Sequence, residues 1–186
     1  MRSDQVKHLV YHELAHTIHW RAVSDRYWID EIQYTLDNNG YGDGTAPGAG
    51  RPAVVEAWAN FLGPTVADVA YGIQSSPYLY QNFGLVYLST ATESSFIRAM
   101  ERFDPNQPND EVAWIPKGIM HDLRDNTNVD EPATVNDNVS NYTIPQIFNA
   151  LNNDITDPIL YRARLLQQNG NNQAVGVNAL FGSYGY

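Results

Sequence analysis

Residues 12–16 read His-Glu-Leu-Ala-His. On a helix, positions i and i+4 lie on one face a turn apart, so His12 and His16 can reach a single zinc ion at about 2.0–2.1 Å. Glu13 stands beside the same face, where its carboxylate can take a proton from a zinc-bound water. At 100° per residue, His8, His12, His16 and His19 fall within an arc of about 80°. Four of the five histidines therefore share one stripe. Val6, Val10 and Leu14 occupy an arc on the opposite side, which predicts a helix with a histidine face and a separate core face.

A straight helix supplies two ligands, and the third must come from elsewhere. His12 and His19 are about 10 Å apart along the axis, too far to share an ion. Ala22 stands where the H-x-x-G-x-x-H type of site would place its third histidine, and His19 where it would place its glycine. The best candidate is Glu56, a lone carboxylate in the apolar run Val54-Val55-Glu56-Ala57-Trp58-Ala59-Asn60-Phe61. Burying an unpaired carboxylate there is costly, and a cation relieves the cost. Glu31 is the second candidate. Asn60, one turn beyond Glu56, is placed to orient a ligand histidine through its free ring nitrogen.

His121 is the one histidine off this helix, and it adjoins Asp122. The pair suggests an imidazole that stabilises the oxyanion of a tetrahedral intermediate, with Asp122 orienting a ring. Twelve tyrosines offer other oxyanion donors, among them Tyr27, Tyr71 and Tyr142, and sequence does not choose between them. The Asn/Asp-rich stretch 125–141 lacks ordered calcium-loop spacing and reads as a solvated turn. So does 37–48, which lacks a closing glutamate.

The elements that must position these residues are mostly helical. Ser3 to about Val23 reads as the histidine helix. Tyr27–Leu36 reads as a second helix, with Trp28, Ile32 and Leu36 at helical spacing, and it stops at Asp37-Asn38-Asn39-Gly40. Pro52 opens a third helix carrying Val55, Trp58, Ala59 and Leu62, which Gly63-Pro64 interrupts. Leu85–Leu88 fits strand or buried helix. Ser94–Phe103 reads as helix and 104–113 as a polar loop. Pro116–Leu123, Pro145–Asn152 and Pro158–Gln168 read as further helices. The stretch from Gly170, rich in Asn, Gly and Tyr, reads as a surface tail over 170–186. A mainly α fold in one domain spanning 1–186 is expected.

Composition narrows the chemistry. In 186 residues, 11 Lys+Arg oppose 21 Asp+Glu, a net charge of −10. Such a surface repels phosphate, so nucleic acid is a poor partner. With no cysteine, thiol catalysis and Cys-ligated metal are excluded, and a zinc site must use His and carboxylates. No apolar run approaches the ~20 residues that span a bilayer.

The pairing of His12-Glu-x-x-His16 with Glu56-Ala57-Trp58-Ala59 resembles the gluzincin clan of zinc metallopeptidases, which carry the third ligand as a glutamate on a second helix. Asn60 stands where clan members often have Asp or Asn. A narrower resemblance is to bacterial exported or lipoprotein zinc metallopeptidases. It rests on His16-Thr17-Ile18-His19-Trp20, Tyr27-Trp28, Tyr41-Gly42-Asp43, Val55-Glu56-Ala57-Trp58, Trp114-Ile115-Pro116-Lys117-Gly118-Ile119 and Asp122-Leu123. It runs over most of residues 8–168.

The resemblance implies a zincin-like catalytic unit holding one Zn2+ per chain, a peptide or protein substrate, and an extracellular, periplasmic or cell-surface location in a bacterium. Clan members place a sheet before the histidine helix, and its edge strand pairs with substrate. Only 11 residues precede His12. The expectation is therefore a unit with that sheet absent or reduced, as in a chain truncated at its N-terminus. Two other functions stay open: a zinc-binding module without turnover, and a zinc hydrolase of another amide or ester.

Overall fold

In the computed structural model, which describes residues 7–71, 78–81, 84–87, 114–125 and 135–186, the element at the centre is α3, Gly50–Tyr71. Its sequence is apolar nearly all round, which suits a helix enclosed by others. Val54, Val55, Ala57, Trp58, Ala59 and Phe61 are all buried. Before it come α1 (Lys7–Ala22) and α2 (Asp25–Asp37). After it come an antiparallel hairpin of β1 (Tyr78–Gln81) and β2 (Gly84–Tyr87), then α4 (Ile119–Asp122), α5 (Ile144–Asn149), α6 (Pro158–Gln168) and α7 (Ala174–Ser183). The hairpin pairs Tyr78 with Tyr87 and Gln81 with Gly84, so 84–87 is strand and not buried helix. The fold is mainly α. Among the described residues no helix is long and apolar enough to cross a membrane. The helix expected over Ser94–Phe103 and the loop 104–113 lie outside the described residues, as does Val6.

The face that α1 buries differs from the one its hydrophobic pattern predicts. Val10 and Leu14 are 61% and 47% exposed, whereas Ala15 and His19 are 0% and 1% exposed. The histidine side itself packs inward. Ala15 is small enough to let α1 lie close against α3, and the Trp58 indole N–H donates to the Ala15 carbonyl at 3.0 Å inside that contact. One buried hydrogen bond thereby fixes both the rotation and the register of α1 on α3.

Ser24 caps α2, its side chain accepting from the Tyr27 N–H. The buried side of α2 is Tyr27, Glu31 and Tyr34, at one-turn spacing. The Tyr27 hydroxyl donates to the Ile155 carbonyl at 2.9 Å, and Tyr34 donates to the Tyr41 carbonyl at 3.0 Å. Ile32 and Leu36 are 52% and 71% exposed, so the apolar spacing first noticed here is a surface stripe and not a core one.

Gly63-Pro64 does not end α3, which runs on to Tyr71. A proline inside a helix leaves the carbonyl four residues earlier without its donor. That carbonyl belongs to Asn60, and His121 Nε2 approaches it at 3.3 Å. A carbonyl only accepts, so the ring donates. Burial pushes the His121 pKa down to about 4, the Asn60 carbonyl opposes the shift and the Arg124 charge adds to it. His121 is thus a neutral buried donor that repairs the proline defect, with its ring edge-on to Phe61.

Residues 170–186 are not a surface tail. They contain α7, whose Val177, Leu180 and Phe181, with Tyr184 just beyond, are each 0–1% exposed in the main core. Gly176 permits this. A Cβ there would lie 2.7 Å from the Asn138 carbonyl oxygen, so only glycine lets α7 approach the 135–143 segment. The Tyr184 hydroxyl donates to Asp122 at 2.8 Å, which anchors α7 to α4. Asp122 is fully buried in this contact.

His121→Leu leaves the Asn60 carbonyl buried and unpaired. The expected outcome is a loss of about 1–3 kcal/mol in chemical denaturation, with bound-metal content unchanged.

Candidate metal centre

Helices α1 and α3 bring three ligand atoms to one point. His12 Nε2 and His16 Nε2 are 3.1 Å apart. Glu56 Oε2 lies 3.3 Å from His12 Nε2, and Glu56 Oε1 lies 3.4 Å from His16 Nε2. In a tetrahedral site with bonds near 2.0–2.1 Å, neighbouring ligand atoms are about 3.3 Å apart. Each of the three separations is near that figure, with the two histidines meeting different oxygens of the carboxylate. His12, His16 and Glu56 form a group able to hold a metal ion, and it is the one such group among the described residues. The rings of His12 and His16 meet edge to face, with centroids 4.7 Å apart.

The electrostatics couple the members of the group to one another. Burial works to protonate Glu56, but the hydrogen bonds and charges of His12 and His16 outweigh it and hold the carboxyl well below the usual carboxylate range. Burial works against charge on His16. The Glu56 hydrogen bond and charge, with help from Glu13 and Glu31, overcome it and raise its pKa. The Glu56 carboxylate and the His16 ring thus each favour the other's charged form.

The centre forms the floor of an open cavity of about 300 Å³. Glu13 lies on its rim, exposed beside His12, as the sequence spacing predicts. Glu31 joins the wall from α2. It is buried, and its pKa is raised first by that burial and then by the Glu56 charge, while Thr35 and His16 oppose the shift. It stands near the ligands without being one of the three.

Tyr41 was not singled out as a site residue, yet its hydroxyl donates to Glu56 Oε1 at 2.8 Å. Burial, then the Glu56 charge and hydrogen bond, push the phenol far up, so it remains a donor. Among twelve tyrosines nothing local marks it out. What positions it is the loop 38–49. Trp114 Nε1 donates to the Gly42 carbonyl at 3.0 Å, and Gly44, at φ +81°, lies flat on the Trp114 ring where a Cβ would sit 2.8 Å away. The landmark Tyr41-Gly42-Asp43 was the available signal, and its meaning depends on a tryptophan 72 residues later.

Several expected site residues are elsewhere. His121 and Asp122 do not line the cavity. Asn60 donates to the Glu56 backbone carbonyl at 2.8 Å, within its own helix, instead of reaching a ligand ring. Tyr27 bonds Ile155 and Tyr142 bonds the Asn172 carbonyl, so neither faces the metal group. The side chain of Tyr71 lies outside the described residues, as does that of His8. His19, although on the histidine stripe, is buried edge-on to Tyr27 and Trp28, and burial together with the His16 charge lowers its pKa to about 4.

Two measurements check the centre. After loading with Zn2+ and dialysis, wild type should retain one ion per chain by elemental analysis. Glu56→Ala should bind more than ~10–100-fold more weakly, since even outer-shell partners are worth that much; equal content in both removes Glu56 from the ligand set.

The second measurement concerns the metal-free protein. Glu56 lies below its ordinary 4.5 when folded, so its contribution to stability is present above about pH 4.5 and lost below. His16 lies above its ordinary 6.5, so its contribution is present below 6.5 and lost as pH rises through its folded value. The thermal midpoint of metal-free Glu56→Gln should therefore fall furthest below wild type between about pH 4.5 and 6.5. A difference that does not vary with pH contradicts the charge pairing.

Comparison with protein-family models, curated proteins and solved structures finds no match to this chain, so the ligand geometry itself carries the functional reading.

Proposed function

We propose that the protein is a zinc-dependent hydrolase of peptide bonds, similar in its site to gluzincin metallopeptidases. The observation that carries this reading is the His12–His16–Glu56 group, its two ring nitrogens 3.1 Å apart and each 3.3–3.4 Å from a different oxygen of the Glu56 carboxylate, in an open cavity also lined by a second glutamate, Glu13. Two histidines and a carboxylate make the ligand set of catalytic zinc sites that keep a fourth position open. A structural zinc site would instead be closed by four protein ligands, and among the described residues no fourth joins the group.

A bound Zn2+ would supply a Lewis acid that polarises a carbonyl and brings the pKa of water to about 7. The chain's own residues do the rest. His12 and His16 present neutral Nε2 atoms, and Glu56 presents its carboxylate. Tyr41 occupies one side of Oε1 and so limits how Glu56 can turn. Glu13 sits next to His12 on the first helix but points to the solvent side of the cavity, where it accepts the proton of the attacking water. It then returns that proton to the leaving amine. The single O–H of the Tyr41 phenol, kept protonated by its surroundings, is engaged by Glu56, so Tyr41 serves to hold that carboxylate in place.

The test separates turnover from metal binding. Wild type loaded with zinc should cleave an unstructured protein such as casein. Glu13→Gln should lower kcat by about 10²–10⁴-fold while retaining full zinc content. Zinc retained by both, with no cleavage by either, would leave a zinc-binding module without turnover.

A further inference from the structure

A second cavity, of about 460 Å³, opens between α1 and α2 beside the metal group. Thr17 and Trp20 line it from one helix, and Trp28, Ile29 and Ile32 from the other. Its volume falls within the ~300–1,000 Å³ of small-ligand sites. Trp20, Ile29 and Ile32 are 52%, 55% and 52% exposed, so the fold leaves large apolar side chains uncovered here. Helix α2 buries its opposite side, Tyr27, Glu31 and Tyr34, and the stripe is not needed to hold the helix in place.

Two observations say what fills it. The first is continuity: this cavity and the metal cavity share His16, Trp28 and Ile32 as common walls. A chain that lays a carbonyl at the metal group places a neighbouring side chain in the groove. The second is charge. Glu13, Glu31 and Glu56 border the approach, and the whole chain carries −10. Asp25 stands at the groove's end, with one oxygen already accepting from the Trp20 indole at 2.9 Å. An acidic occupant is repelled, and an apolar one covers the exposed Trp20 indole and the two isoleucines.

We infer that this groove is the specificity pocket of the centre, selecting peptide segments that carry a large apolar side chain, Phe or Leu, beside the cleaved bond and no acidic neighbour. The inference rests on the hydrolytic reading of the His12–His16–Glu56 group. Burying such a side chain is worth about 10- to 100-fold over alanine.

The experiment uses two blocked hexapeptides of Gly, Ser and Ala that differ at one central position, Phe or Ala. Each is titrated calorimetrically into zinc-loaded Glu13→Gln, and each is incubated with wild type while cleavage is followed by mass spectrometry. The Phe peptide should bind at least ~10-fold tighter. The preference should fall to about twofold in Ile29→Ser, which strips one wall, and in Thr17→Trp, which fills the groove. Both positions are exposed, and unchanged zinc content reports an intact fold in each variant.

Equal binding of the two peptides, or an undiminished preference in both variants, overturns the pocket. Cleavage of both peptides at equal rates likewise overturns the pocket while leaving hydrolysis standing. Preferential binding without cleavage by wild type supports the pocket and removes the hydrolysis. Neither binding nor cleavage removes both.

Discussion

A carboxylate buried in an apolar helix is the constraint around which this protein is arranged. Glu56 is 7% exposed, between Val55 and Ala57 on the most enclosed helix described. Such a group is tolerable only with a cation or strong donors within reach. The chain supplies His12 and His16 from α1 and the Tyr41 hydroxyl from the loop before α3. Two separate segments thus converge on one side chain of a third. His12, His16 and Glu56 themselves form a group that could hold a metal ion, so the contacts that relieve the buried carboxylate are also those a cation would use.

The convergence depends on how α1 meets α3. Ala15 gives the close approach, and the Trp58 indole bonded to its carbonyl sets the rotation. A helix turned by one residue, about 100°, would carry both imidazoles away from Glu56. Turning the histidines inward has a cost, since Val10 and Leu14 then face outward. Hydrophobic burial alone would favour the opposite face of α1. Pairing a buried carboxylate, together with the packing of Ala15 and His19, outweighs the exposure of two aliphatic side chains worth ~1.5–3 kcal/mol each. Helix α2 shows the same compromise: three hydrogen-bonding residues go in, and Ile29, Ile32 and Leu36 stay out.

The parts of the fold that were legible beforehand have short-range causes. The helices from Tyr27 to Leu36 and from Pro158 to Gln168 follow from periodicity and from caps at Ser24 and Asp157. What was misread has long-range causes. Gly63-Pro64 reads as a stop because proline removes a donor, yet a histidine 57 residues after that proline supplies a replacement to Asn60. The Asn- and Gly-rich C-terminal segment reads as solvated. It nonetheless carries Val177, Leu180 and Phe181 on one face, and Gly176 is needed for close packing, not for a loop. In both cases a local propensity was overridden by a tertiary partner.

The sequence by itself marked out the residues of the group that could hold a metal ion, with Glu56 ahead of Glu31 for the third place. An i, i+4 pair of histidines on a helix must share a face, a chain without cysteine must complete a metal site with His or carboxylate, and a lone glutamate in an apolar run needs a counter-charge. Those statements depend only on backbone geometry and on the chemistry of single side chains. Tertiary structure alone decided which groups surround them. It chose Tyr41 from twelve tyrosines, sent His121 and Asp122 to the core, kept Asn60 within its own helix, and left the Trp20–Ile29–Ile32 surface open beside the site. The physical reason is that each of these assignments depends on a partner far along the chain, and hydrogen-bond and packing partners at that separation leave no periodic mark in the residues themselves.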